Sequence, residues 1–382
     1  MINIRRIGLM LSLLLLAVVA GIGAGRDDTM RQGIRVRMPQ PTVITSEVLS
    51  PRSVVLGALT TLENPARHRA TVILRNTLHD PFGKIVAKGE RDITLRASMR
   101  GKAAQKVAVD KPMLWSPDDP ALYTLVSEVW QDDVMLDRRQ HTAGFAAISI
   151  PAYGQAIING QQTPLKSLSV NARDDASLRR TVRLAALAGA NTIIPADTLM
   201  IDNLAAATDR EGLLLIVPKM KRSFGAAHPS LVMVDSIPLS SIMADAIPSD
   251  SIIGADGFPT PAFAAAAARW NGDTSFARRY ASASSPGTPV ALRLFAEQPS
   301  MSVADFRPAY VVAELVDAGG SVCGDASAPV TFTLLKGEAP RTVSAVNGRA
   351  CIALSGAYRK GRLDISATVP GIPPARTSID IF

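Results

Sequence analysis

The run Pro112-Met113-Leu114-Trp115-Ser116-Pro117-Asp118-Asp119-Pro120-Ala121-Leu122-Tyr123 sets three prolines among two leucines and two aromatics. Each proline holds φ near about −65° and lacks an N–H, so the run is neither a helix nor an inner strand. Leu114, Trp115, Leu122 and Tyr123 need a core to sit in. The stretch therefore reads as a rigid connector that carries its aromatics into a β-sandwich and opens the strand that follows it.

Outward from that connector, residues 36–150 show short alternating segments broken by turns, the pattern of a sandwich. Val72, Leu74 and Leu78 share one face of a strand over residues 70–78. The turn Asp80-Pro81-Phe82-Gly83 leads into Ile85-Val86-Ala87, which makes a hairpin. A second hairpin is expected where residues 122–130 meet residues 134–136 across Gln131-Asp132-Asp133.

The period changes over residues 151–270. Asp174-Asp175 caps a helix with Leu178, Val182 and Ala185 inward and Gly189 as its stop. A short apolar run at 192–195 follows. A second helix carries Met200, Leu204 and Ala207 in register to Gly212, before the continuous apolar strand 213–217. With strands expected at 165–170, 231–234 and 251–253, this part counts about five strands and three or four helices. A full eight-fold barrel takes about 250 residues, so it is truncated and leaves strand edges for another domain or chain to cover. Residues 271–288, rich in Ser, Arg and Gly, read as a linker. Alternation returns over 289–382, with strands at 310–316, 330–335 and 363–367 and turns at Asp317-Ala318-Gly319-Gly320 and Val346-Asn347-Gly348.

Composition agrees with folded domains: of 382 residues, 47% are apolar and 19% charged. Arg5 and Arg6, an apolar run, and then Gly21, Gly23, Ala24 and Gly25 make residues 1–25 a secretory signal, so the chain is expected to be exported, periplasmic or extracellular. If cleavage fails, residues 7–24 are long enough to anchor it in a membrane. The formal charge of +8 is scattered, and only a weak basic cluster lies at residues 26–37. Nucleic acid is not an expected partner. Cys323 and Cys351 are the two cysteines, able to form a disulfide in an oxidising compartment or to stay as buried thiols. His68, His79, His141 and His228 share no metal spacing, and no cofactor motif is present.

The Pro112–Tyr123 string is similar to the P-x-L-W-S-P-x-x-P-x-L-Y of glycoside hydrolase family 2, which includes β-galactosidases, β-glucuronidases and β-mannosidases. Other blocks follow in order. Gly144-Phe145, Ile158-Asn159-Gly160-Gln161 and Leu165-Lys166 resemble the family's entry to its barrel. Gly189-Ala190-Asn191-Thr192-Ile193, Asp209-Arg210-Glu211-Gly212-Leu213 and His228-Pro229-Ser230-Leu231-Val232-Met233 resemble its second to fourth strands, and Gly257-Phe258-Pro259-Thr260-Pro261 resembles its last helix. The resemblance implies a multi-domain, mainly β fold with an α/β part: an immunoglobulin-like β-sandwich, a truncated TIM-barrel-like domain and a C-terminal immunoglobulin-like β-sandwich. The family's N-terminal jelly roll and the middle of its barrel are expected to be missing.

The resemblance also implies two catalytic glutamates, yet the interval between Glu211 and Glu297 contains none. Carrying the register forward from His228 puts Pro238 and Leu239 where the family has its Asn-Glu acid/base pair. Ala146, Asn171, Ile194 and Asp197 fall near other positions of its substrate cradle. Asp197 and Asp235, near the carboxyl ends of expected strands, are the remaining catalytic candidates, against a reading as helix caps. Asp245, Asp250 and Asp256 are looser. Trp270 is the sugar-stacking candidate, against a reading as core.

The favoured reading is an exported, catalytically inactive relative of the family, serving as a carbohydrate-binding or assembly module. A residual β-glycosidase with a rearranged or partner-completed site is one alternative. A structural envelope protein is another. Expected partners are carbohydrate and a protein partner or second copy covering the barrel edges, with a membrane only if the N-terminal segment stays uncleaved.

Overall fold

Strand β2 (Ser53–Asn64) alternates half-buried and buried side chains along its whole length, the signature of a sheet with one face in a core. In the computed structural model the described residues are 35–152, 154–171, 174–221, 224–235, 246–280, 284–301, 307–334, 339–354 and 359–382. The signal and anchor read in residues 1–25, together with Pro238, Leu239 and Asp245, lie outside them. Among the described residues no helix is long and apolar enough to cross a membrane.

The chain divides into two compact units. One comprises residues 35–47, Ser53–Asp110 and Thr124–Thr142. There β1 (Val43–Ser50), β2 and β5 (Met99–Asp110) form one sheet. The second sheet has the order β4 (Ile85–Leu95), β3 (Ala70–His79), β6 (Tyr123–Gln131), β7 (Val134–Ala143). Met38, Leu62, Val72, Leu74 and Val129 fill the core between them. Both expected hairpins are present. The β6–β7 turn puts Asp132 and Asp133 at φ 47° and 64°, the left-handed pair that a two-residue hairpin turn requires.

The second unit comprises Val48–Arg52, Lys111–Tyr123 and Ala143–Phe382. It opens with the antiparallel strands β8 (Ile148–Ala152), β9 (Gln155–Ile158) and β10 (Gln161–Pro164). A five-stranded sheet follows: β11 (Ser167–Val170), β12 (Thr192–Pro195), β13 (Leu214–Pro218), β14 (Leu231–Val234) and β15 (Ile247–Pro248). Every neighbour pair is parallel and the order is β14-β13-β12-β11-β15. The last strand thus returns to the first, as in a closing barrel, while the strands that would complete the ring are missing among the described residues.

Helices α1 (Asp175–Leu187) and α2 (Ile201–Glu211) pack on one face of this sheet. Asp174 caps α1 by accepting from the backbone N–H groups of Ser177 at 2.9 Å and Ala176 at 3.0 Å. The Ser177 backbone and side-chain bonds hold its carboxyl below the usual range. Gly212 ends α2 at φ 72°, where a Cβ would lie 2.3 Å from the Pro117 carbonyl oxygen, so only glycine fits both the turn and the neighbour. The proline-rich connector is therefore seated against the end of α2. Trp115, fully buried, donates its indole N–H to the Asp209 carbonyl at 2.8 Å.

Two sequence expectations are corrected here. Residues 251–253 are not a strand of this sheet: Ser251 and Ile252 end α3 (Ser249–Ile252), Ile253 makes an isolated bridge to Pro259, and only Ile247–Pro248 pair with β11. A three-residue apolar run carries too little periodicity to separate the two states. The linker expected over 271–288 begins instead as core. After α4 (Pro261–Trp270), α5 (Ser275–Arg279) buries Phe276, and Tyr280 follows it inward. Composition marked the segment as a linker, but its two aromatics, four apart, lie on one helical face.

The C-terminal sandwich sets β16 (Ser284–Ser285), β17 (Ala291–Ala296), β19 (Ala309–Val316), β20 (Val322–Cys323) and β23 (Arg349–Leu354) in one sheet. The other holds β18 (Ser300–Met301), β21 (Pro329–Leu334), β22 (Arg341–Ser344), β24 (Gly361–Val369) and β25 (Ile372–Ile381). Phe332, Ile365 and Ile379 lie in its core. Val312, Phe295 and Cys351 join the core of α1, α2 and α4, so sandwich and partial barrel share one apolar interior.

Candidate functional site

The parallel sheet has two faces, and strand alternation assigns side chains to each. Leu168, Val170, Ile193, Leu215 and Val217 point to the helices. Ile194 and Ile216 point the other way, toward what would be the lumen of a complete barrel, and both are fully buried. Ile150 and Leu165, flanking the small antiparallel sheet, pack on them with Val234 and Ala246. A barrel enzyme builds its reacting groups at the carboxyl ends of its strands. Here Ile194, Ile216 and Val234 stand near those ends and form a closed apolar cluster.

The two candidate aspartates stand on different loops, after β12 and β14, with β13 between the strands. Asp197 accepts from the Leu199 backbone N–H at 2.9 Å in a turn. Asp235 is held by Lys219 at 2.5 Å, both side chains more than half exposed. Its hydrogen bond and charge raise the Lys219 pKa.

The remaining candidates resolve differently. Trp270 does not offer a stacking face: it is 9% exposed, packs in the core of the helix layer, and its carbonyl accepts from Lys166 Nζ. Cys323 and Cys351 are both free. Val322 opposes Val316 and Cys351 opposes Val312, so the two cysteines sit about three residues apart along β19. That is roughly 10 Å of strand rise, beyond the Cα approach of about 7 Å that a disulfide allows. Burial pushes the Cys351 thiol up to about 12, so it is no nucleophile at neutral pH. Among the described residues no three His, Cys, Asp or Glu side chains converge as metal ligands would.

What the sequence left unnoticed is a cleft of about 1200 Å³ on the helix side of the sheet, between α1, α2 and the sandwich strands β19, β22 and β23. Its mouth includes Asn171, just past β11, and Ser249 and Asp250, just past β15. Strand ends that would serve a barrel's active site thus open outward. The floor holds Arg180, Glu211, Phe258, Tyr310 and Arg349.

Ion pairs organise this floor. Arg180 grips Glu297 with both terminal nitrogens, one at 2.6 Å, and Tyr280 donates its hydroxyl to the same carboxylate. Burial disfavours the Arg180 charge, but Glu297 more than reverses that and raises its pKa well above the ordinary value. The guanidinium lies 4.7 Å from the Tyr310 ring centroid and 5.7 Å from that of Phe258. Arg183 donates to Glu211 at 2.8 Å, and Arg349 to Glu314 at 2.9 Å. Burial pushes the Tyr310 phenol up to about 12 against the opposing charge of Arg180, so it stays a neutral hydroxyl. Arg180, Arg183 and Arg349 belong to no sequence motif, and Glu297 lies 117 positions from Arg180. The available signal was that Arg183 and Leu184 follow Arg180 on α1 by three and four residues, the spacing of one helical face.

A second polar network ties the connector to the partial barrel. Asp209, buried, accepts from the Ser230 backbone at 3.0 Å, the Ser230 hydroxyl at 2.6 Å and His228 Nδ1 at 2.7 Å. The serine bonds the aspartate rather than the histidine, so this is a brace and not a nucleophilic triad.

Comparison with known proteins gives a consistent frame. The profile of the glycosyl hydrolases family 2 matches residues 36–145. A β-galactosidase of Bacteroides ovatus is 28% identical over 130 residues, which cover 34% of this chain and 15% of the relative. The match thus spans a small part of that relative's length. Among solved structures, a family 2 glycosyl hydrolase of Bacteroides cellulosilyticus superposes with a TM-score of 0.56 at 15% identity, covering 91% of this chain and 79% of that one. A β-glucuronidase of Bacteroides uniformis gives 0.51 at 13% identity, covering 91% and 62%. At such identities the structural likeness speaks for the fold alone.

Proposed function

We propose that this chain, a relative of the family 2 glycosyl hydrolases through the domain at residues 36–145, no longer cleaves glycosidic bonds and serves as an exported carbohydrate-binding module. The observation that carries it is the apolar cluster of Ile194, Ile216, Val234, Ile150 and Leu165 where a barrel would keep its reacting carboxylates. Retaining hydrolysis needs two carboxyl groups about 5–5.5 Å apart, one to protonate the leaving oxygen and one to attack. Glu211 and Glu297, which lie at the other face, are each bound to a guanidinium. Leu239 stands where the resemblance implies the acid/base. Binding moves to the outer cleft, whose carboxylate, amide and hydroxyl side chains, set among apolar ones, suit a hydroxyl-rich ligand.

The test has two arms. Purified protein is expected to release no aryl alcohol from β-galactosides, β-glucuronides or β-mannosides. Oligosaccharides are expected to raise its melting temperature, since a ligand at a hundred times its Kd stabilises the folded state by about 2.7 kcal/mol. Turnover abolished by Asp235→Asn overturns the first arm, and a melting temperature indifferent to every saccharide overturns the second.

An assembly role has one observation behind it: among the described residues β14 and β15 each pair on one side only, leaving two strand edges. Sedimentation of the full chain as a monomer at all concentrations would remove that reading for a second copy as partner.

A further inference from the structure

The charges of the outer cleft are arranged so as to select among saccharides, an inference that rests on the carbohydrate-binding reading above. At the floor every guanidinium is already matched by a carboxylate: Arg180 by Glu297, Arg183 by Glu211 and Arg349 by Glu314. At the floor these pairs leave no cation to receive an anionic ligand. What remains is uncharged hydrogen-bonding capacity. Tyr310 keeps its proton at neutral pH. Asn171, Thr181 and Ser344 line the same cleft with uncharged donors and acceptors that sugar hydroxyls can meet.

The rim adds a bias of its own. Asp174, Asp175, Asp250 and Asp256 line it against Arg179 and Arg210, four carboxylates to two guanidinium groups. Asp175 and Arg179 pair with each other one helical turn apart, which leaves three acids and one base. A sugar acid entering this cleft would bring its carboxylate toward like charge, or would have to displace a glutamate from a buried pair. A neutral sugar meets neither obstacle. The two aromatic rings at the floor already carry Arg180 within cation–π distance, so hydroxyl contacts rather than ring stacking dominate recognition.

We infer that the cleft takes neutral, hydroxyl-rich saccharides and discriminates against uronic acids, with Tyr310 and the rim aspartates Asp250 and Asp256 as the residues that set this choice. Isothermal titration of the full chain with β-linked galacto-, gluco- and manno-oligosaccharides and their uronic-acid counterparts of equal length tests it. At low ionic strength the neutral ligand is expected to bind about tenfold tighter, and the gap to close as salt screens the rim. Asp250→Asn with Asp256→Asn, both on the rim, should narrow the gap severalfold by strengthening the binding of the uronate series. Tyr310→Phe should weaken neutral binding about fivefold, a loss typical of one hydrogen bond, without moving the thermal melt by more than a few degrees.

Uronates binding as tightly as neutral sugars, or a gap that ignores both salt and the double aspartate variant, overturns the inference and leaves the binding reading standing. Failure of both ligand series to bind overturns the two together.

Discussion

The two faces of one five-stranded sheet have diverged in opposite directions. On the lumen side, Ile194 and Ile216 are sealed by Ile150 and Leu165. On the helix side, three arginines and three glutamates are packed beneath an open cleft. The contrast shows that one sheet can carry a sealed apolar face and a charged, open one within the same unit. The lumen face is apolar, while the helix face carries a polar floor whose buried charges cost stability unless they are paired.

The sharpest way to break this contrast is to break the floor. Glu297→Ala strands Arg180 in the interior and should destabilise the protein by about 3–5 kcal/mol, read as a lower urea midpoint. If the midpoint is unchanged, the floor does not organise the unit. Next in size is Ile216→Ala on the lumen side, expected to cost about 2–5 kcal/mol while leaving saccharide affinity as it was. A loss of affinity at unchanged stability would place the ligand in the lumen and overturn the assignment of faces.

The brace should follow. Asp209→Ala removes acceptors from Ser230 and His228 and is expected to cost about 1–3 kcal/mol, read as a lower urea midpoint, while the Trp115 indole keeps its bond to the backbone carbonyl of residue 209. A smaller effect comes from the cap of α1. Because the folded-state pKa of Asp174 is depressed, its contribution is present above the ordinary aspartate range and fades as pH falls through the lowered value. Asp174→Ala should therefore cost about 1 kcal/mol at neutral pH and nothing in strong acid, checked by melts across that range. Least of all, Asp235→Asn should leave the melt unmoved, since its pair with Lys219 is exposed.

Much of the fold was legible because it depends on local patterns. Alternation found β3 and β6, Asp174 announced α1, and Asp132-Asp133 and Asn347-Gly348 marked hairpin turns with the positive φ angles they need. The failures came where a local pattern was too short or misleading. Three residues at 251–253 read as strand, and Ser-rich composition hid the inward face of α5. The cleft was illegible for a different reason. Arg180 and Glu297 are 117 positions apart, and nothing in either neighbourhood says that they meet.

The proline-rich connector shows where the division lies. By itself the sequence determined that residues 112–123 are rigid, aromatic and unable to form a helix, and that no glutamate stands between Glu211 and Glu297, since residue chemistry and proline geometry are local facts. Only the tertiary structure decided that Trp115 and Pro117 seat on the end of α2, that the lumen face closes on itself and that the polar cleft lies on the opposite face. Those outcomes depend on which distant surfaces exclude water from one another, and burial of that kind is a property of the folded whole.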